Sequence, residues 1–71
     1  MSIEHAPQRS RIVREKDRLA ITGVPRASWN RLEKQGQTPK RVILGPRIVG
    51  WYEDELYHFN ASRPRAEANE G

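Results

Sequence analysis

Five side chains that can donate hydrogen bonds fall within one short stretch: Arg26, Ser28, Asn30, Arg31 and Lys34. Projected at about 100° per residue, Ala27, Asn30 and Lys34 cluster on one side of a helix, with Arg26 and Arg31 at its edges. Trp29 and Leu32 fall on the opposite side. The first side is short-chained, basic and rich in donors. That chemistry suits a helix laid in the major groove of DNA, where base edges and phosphates present acceptors. The second side is apolar and can be buried. Because its phase matches Leu32, Trp29 reads as a core anchor rather than a base-stacking ring.

The elements that must position this face are equally short. Residues 14–21 (REKDRLAI) form a helix in which Leu19 is the expected core contact, and Glu15 and Asp17 occupy the dipole-favoured first turn. Thr22-Gly23-Val24 joins it to a second helix over 25–35, which makes the pair a helix-turn-helix candidate. Gly23 tolerates a positive φ, Pro25 fits the first helical position, and Gly36 stops the helix. Arg11-Ile12-Val13 is a short strand. After a loop over 37–40, residues 41–44 (RVIL) and 48–52 (IVGWY) pair as a hairpin around Gly45-Pro46-Arg47. Lys40 and Arg41 lie at its base and Arg47 at its tip, so it reads as a wing reaching phosphates or the minor groove. Val42, Leu44, Val49 and Trp51 are expected to cover the core. Residues 53–61 (EDELYHFNA) form a third helix with an acidic first turn. Tyr52, Leu56 and Phe59 make its packing stripe, and His58 is a surface residue. The expected fold is mainly α with a small β-hairpin: a winged helix-turn-helix of three helices plus a wing.

Size and composition bound the rest. The chain has 71 residues, 35% of them hydrophobic, enough for one domain with a small core. That domain is expected over 11–62. Residues 1–10, with Pro7, and residues 63–71 read as disordered tails. There is no cysteine, and so no disulfide or thiolate metal site. Residues 11–52 carry ten Arg/Lys against three acids, and residues 53–71 two against five. A basic middle with an acidic end is the footprint of a polyanion binder. No long apolar run or secretory leader is visible, so a soluble, cytoplasmic, nucleoid-associated protein is expected, with no membrane partner. Enzymatic chemistry has little support. Ser10, Ser28 and Ser62 lack a histidine–acid arrangement, no glycine loop cradles phosphate, and His5 and His58 make no metal site. No cofactor is expected.

Three stretches together resemble the AlpA family of small phage and prophage regulators, over residues 11–63. The first is Arg11-Ile12-Val13-Arg14. The second is Thr22-Gly23-Val24 with Arg26, Ser28, Arg31-Leu32 and Gly36. The third is Pro39-Lys40 with 44–51 (LGPRIVGW), Glu55-Leu56 and Phe59, and it is the most specific. The resemblance implies a winged helix-turn-helix of the kind shared with excisionases and MerR-type regulators, acting as a DNA-binding transcriptional regulator. It maps Arg26, Ser28, Asn30 and Arg31 to the recognition helix and Arg47 to the wing. This chain departs from the usual pattern at Arg18 (usually apolar), Pro25 (usually a Ser or Thr cap), Trp29 (usually a smaller aliphatic), Asn30 (often tyrosine) and Thr38 (usually aromatic). Asparagine can make a bidentate pair with adenine, which tyrosine cannot.

The expected partner is double-stranded DNA, contacted through Arg26, Ala27, Ser28, Asn30, Arg31, Lys34, Lys40, Arg41 and Arg47. One such module buries only about 600–1,000 Å², so self-association on repeated sites is a natural accompaniment. Two alternatives share the same fold. An excisionase would bend attachment-site DNA, and an interaction module would dock an integrase or RNA polymerase through the acidic third helix. RNA binding is disfavoured because no pair of exposed aromatics offers a stacking platform.

Overall fold

The computed structural model describes residues 10–66. The expected tails lie outside the described residues, apart from Ser10 and residues 63–66. The elements run β1 (Ile12–Val13), α1 (Glu15–Thr22), α2 (Arg26–Lys34), β2 (Val42–Gly45), β3 (Ile48–Tyr52) and α3 (Glu53–Ala61). The strands form an antiparallel sheet in the order β1-β3-β2. Three helices beside a β-hairpin, with α1 and α2 joined by a three-residue turn, give the layout of a winged helix-turn-helix.

Alternation along β3 decides which hairpin residues reach the core. Neighbouring strand residues point to opposite faces. Val49 and Trp51 therefore go inward, and Gly50 goes to the far face. Val42 pairs with Gly50 and shares that far face, half-buried. Leu44 stays 45% exposed. The expectation that Val42 and Leu44 help to cover the core is thus corrected: Val49 and Trp51 do so without them. Gly50 lies tight against the neighbouring strand β1. A Cβ there would lie 2.6 Å from Ile12 Cγ2 and 2.7 Å from the Val13 carbonyl oxygen. Pro46 and Arg47 form the hairpin tip, with a register shift between Ile43 and Gly45.

In α1 the inward residue is not Leu19, which is 43% exposed, but Arg18, which is 0% exposed. The face turned to the protein carries Glu15, Arg18, Ile21 and Thr22, and Leu19 falls at its margin. A helix with a polar inward stripe reads wrongly when charge is taken to mean solvent. Gly23, at φ 71, closes α1 with its N–H on the Leu19 carbonyl. Pro25 is the cap residue of α2 and not its first helical residue; its carbonyl accepts the first helical bond, from the Trp29 N–H at 2.8 Å. At the other end Gly36 has φ 73. Its N–H reaches the Glu33 carbonyl at 3.0 Å, and the Gln37 N–H reaches that of Leu32 at 3.0 Å. This paired closure is the Schellman motif.

The start of α3 is capped from a distance. Tyr52 has no side chain able to cap it. The Arg11 carbonyl accepts from the Glu53 N–H at 2.9 Å. Ser10 Oγ accepts from the Asp54 N–H at 2.7 Å and donates to Asp54 Oδ1 at 3.0 Å. The chain just ahead of β1 thereby satisfies two of the helix's free donors. At the far end, Asn60 Nδ2 donates to the Ile21 carbonyl at 3.0 Å and ties α3 to α1.

The core consists of Val13, Trp29, Trp51, Leu56 and Phe59, with Ile21, Val24, Leu32 and Val49 packed against it. Trp29 is its centre. Its ring meets Trp51 edge-on at 6.0 Å and Phe59 at 5.1 Å. Replacing Trp29 by alanine should cost about 3–5 kcal/mol, read as a collapse of the urea midpoint. The glycines should separate cleanly. Gly36→Ala meets open space and costs only the left-handed backbone term, about 1–2 kcal/mol. Gly50→Ala collides with β1 and should lower the thermal midpoint much further; equal losses at the two positions would contradict the close approach of β1 to Gly50.

Candidate nucleic-acid interface

The burial of α2 divides its surface cleanly. Trp29 is buried, Ser28, Leu32 and Glu33 are half-buried, and Arg26, Ala27, Asn30, Arg31 and Lys34 are exposed. On a helical projection the exposed five are contiguous, in the order Arg26, Asn30, Lys34, Ala27, Arg31. Ala27 keeps the middle of this arc shallow, so the helix backbone can approach a surface closely. Cations and one amide surround it.

The hairpin base joins this surface through an ion pair. Arg41 Nε lies 3.2 Å from Glu33 Oε2. Between the C-terminal half of α2 and the start of β2 runs an open cleft of about 510 Å³ whose walls include Lys34, Lys40, Arg41 and Ile43. A smaller cavity of about 50 Å³ under the N-terminal half is lined by Arg26, Asn30 and Arg41, with Trp29 and Trp51 also in its wall. The structure thus brings Arg26, Asn30, Lys34, Lys40 and Arg41 together at the junction of α2 and the hairpin. Ser28 and Arg31 form the opposite margin, where Arg31 Nη2 donates to Ser28 Oγ at 3.3 Å. Ser28 is therefore a support for Arg31 more than a projecting group. Arg47 stands apart at the hairpin tip, exposed, with φ 60. Among the described residues, Arg26, Asn30, Lys34, Lys40 and Arg47 have no side-chain hydrogen bond or ion pair.

What holds α2 at its angle to α1 is a group that sequence reasoning passed over. Arg18 Nε and Nη2 both donate to the Glu15 carboxylate. Nη1 donates to the Val24 carbonyl at 2.5 Å and to Thr22 Oγ1 at 3.3 Å. Its guanidinium carbon lies 4.6 Å from the centroid of the Trp29 ring. Thr22 Oγ1 in turn donates to the Arg18 carbonyl at 2.9 Å and accepts from the Val24 N–H at 3.2 Å. One buried side chain thus links the first helix, the turn and the large ring of the second helix. The spacing Glu15-x-x-Arg18-x-x-x-Thr22 puts all three on one helix face, and that was the available signal. Among the described residues there is no group of three or more potential metal-ligating side chains. Nor is any helix long and apolar enough to cross a membrane.

Fold and surface together define a small winged helix-turn-helix whose second helix carries an exposed basic arc. Residues 11–63 match the family described as Prophage CP4-57 regulatory protein (AlpA), and the chain belongs to that family of prophage regulatory proteins. Searches of the curated proteins and of the solved structures gave no match.

Arg18→Ala opens a void and strands the Val24 carbonyl, and it should cost about 2–4 kcal/mol. Arg18→Met, which keeps the length and loses the charge, should recover part of that loss in denaturant melts. The exposed pair behaves differently. Glu33→Gln should change stability by less than about 1 kcal/mol.

Proposed function

We propose that this chain is a sequence-specific DNA-binding regulator of a phage, prophage or other mobile element, with α2 in the major groove and the β2–β3 hairpin on the backbone or minor groove. The observation that carries this reading is the exposed arc of α2. Of its cations, Arg26 and Lys34 have no side-chain partner among the described residues and Arg31 only a hydrogen bond to Ser28, and an amide and a small residue lie between them. A major groove about 12 Å wide admits one helix, and cations at the helix edges meet the phosphates on either side. Lys40 and Arg41 extend the cationic surface from α2 to the hairpin base, and Arg47 extends it to the tip. The acids of the chain lie chiefly beyond residue 52, away from α2 in sequence.

Binding should be tested on fragments of the genome of origin, with competitor DNA and a salt titration. About five phosphate contacts give a slope of log K against log salt of roughly −4 to −5, at about 0.9 per contact. Selective retention of a short repeated sequence supports the reading, and its position at a promoter or an attachment site separates transcriptional control from excision. Uniform, salt-labile retention of every fragment overturns it. Arg31→Ala should weaken binding while leaving the melting curve unchanged.

The hairpin tip gives an independent check. Arg47 occupies a left-handed conformation that costs a side-chain-bearing residue about 1–2 kcal/mol relative to glycine. Arg47→Gly should therefore raise the melting temperature and lower DNA affinity together. A gain in stability with no loss of affinity would remove the tip from the interface.

A further inference from the structure

Resting on the DNA-binding reading above, we infer that Asn30 reads an adenine in the major groove, so that one position of the target site is specified as an A·T pair by this amide. Donors and acceptors decide the pairing. In the major groove guanine offers two acceptors, N7 and O6, whereas adenine offers an acceptor at N7 and a donor at N6. A side chain that only donates can therefore pair twice with guanine and once with adenine. Pairing twice with adenine requires one donor and one acceptor on the same planar group, which an amide has.

On the exposed arc of α2, Arg26, Arg31 and Lys34 only donate, and Ala27 does neither. The other acceptor-bearing side chains of the helix, Ser28 and Glu33, are half-buried and already engaged. Ser28 Oγ accepts from Arg31, and the Glu33 carboxylate holds Arg41. Past the helix, Gln35 Oε1 accepts from Gln37 Nε2 at 3.1 Å. Asn30 is the one exposed α2 side chain with an acceptor left over among the described residues. It is flanked by Arg26 and Lys34, one turn away on either side, and these can rest on phosphates and fix its depth. With Ala27 beside it no bulky group holds the helix off the groove floor. In the paired state Asn30 Nδ2 donates to adenine N7, and adenine N6 donates to Asn30 Oδ1.

The test uses the full chain and duplexes that it selects from a randomised pool. Each adenine of the selected sequence is replaced in turn by 7-deazaadenine, which lacks the N7 acceptor. Each duplex is titrated with wild type and with Asn30→Ala, at low salt so that phosphate contacts keep the variant's binding measurable. Because Asn30 is exposed, an unchanged melting curve is the expected control for the variant. One adenine should emerge at which the analogue weakens wild-type binding about 5- to 150-fold, and at which Asn30→Ala no longer distinguishes the two duplexes. If no adenine is sensitive in wild type, or if the sensitive one stays sensitive in Asn30→Ala, the assignment is overturned while DNA binding stands. If the pool yields no preferred sequence at all, the DNA-reading role of α2 falls, and the assignment falls with it.

Discussion

The direction of α2 is set where the Trp29 ring meets the buried guanidinium of Arg18. A buried cation is costly unless it is paired and hydrogen-bonded. Here four of its five N–H donors find acceptors, on Glu15, Thr22 and Val24, and its face lies on an aromatic ring. Glu15 is 37% exposed at its side chain, so the carboxylate that neutralises Arg18 keeps part of its own hydration. That arrangement lowers the desolvation cost that offsets the attraction in fully buried pairs. Because the acceptors belong to α1 and to the turn, while the ring belongs to α2, the contact fixes the angle between the two helices. A leucine at the same place could fill the volume, but it could not hold the Val24 carbonyl.

The two indoles carry a penalty that shows which effect dominates. Neither the Trp29 nor the Trp51 N–H has a hydrogen-bond partner among the described residues. Each orphan donor costs about 1–3 kcal/mol. Burying an aromatic side chain of this size removes about 150–250 Å² from water, a gain of about 4–6 kcal/mol at roughly 25 cal/mol per Å². The packing term wins, and it matters more than usual in a chain with so few core residues. Edge-on contacts from Trp29 to Trp51 and to Phe59 let one side chain of α2 reach the hairpin and α3 together. The exposed face of α2 can then do without large apolar side chains, because Trp29 and the partly buried Leu32 do the anchoring.

Most of the architecture was legible because it is written in local signals. Gly23 and Gly36 end their helices with positive φ, the acidic run 53–55 opens α3, and glycine and proline punctuate the hairpin. The exposed arc of α2 was equally legible, since it follows from helical phase alone. What escaped was non-local. Nothing near residue 53 announces that Ser10 and Arg11, more than forty positions upstream, cap α3. That pairing exists only once β1 lies against β3. Leu44 was misplaced because the alternation of β2 is set by the pairing of Val42 with Gly50 and by the register shift that follows it. Arg18 was passed over in favour of Leu19 because charge is a sound predictor of exposure until a carboxylate, a hydroxyl and a carbonyl are all within its reach.

Arg18 and Trp29 are two of the positions at which this chain departs from the pattern it resembles, and the structure places them in contact. An apolar residue in α1 facing a small aliphatic in α2 would fill one volume. A cation facing a large ring fills another, and adds an attraction of about 2 kcal/mol when the pair is desolvated. In this chain the two positions therefore form one contact, distributed over two helices. The departure at Asn30 has no such counterpart within the fold. Asn30 is exposed, with no side-chain partner among the described residues. The contact of Arg18 with Trp29 holds α2 against α1, whereas Asn30, on the exposed arc of α2, takes no part in that packing.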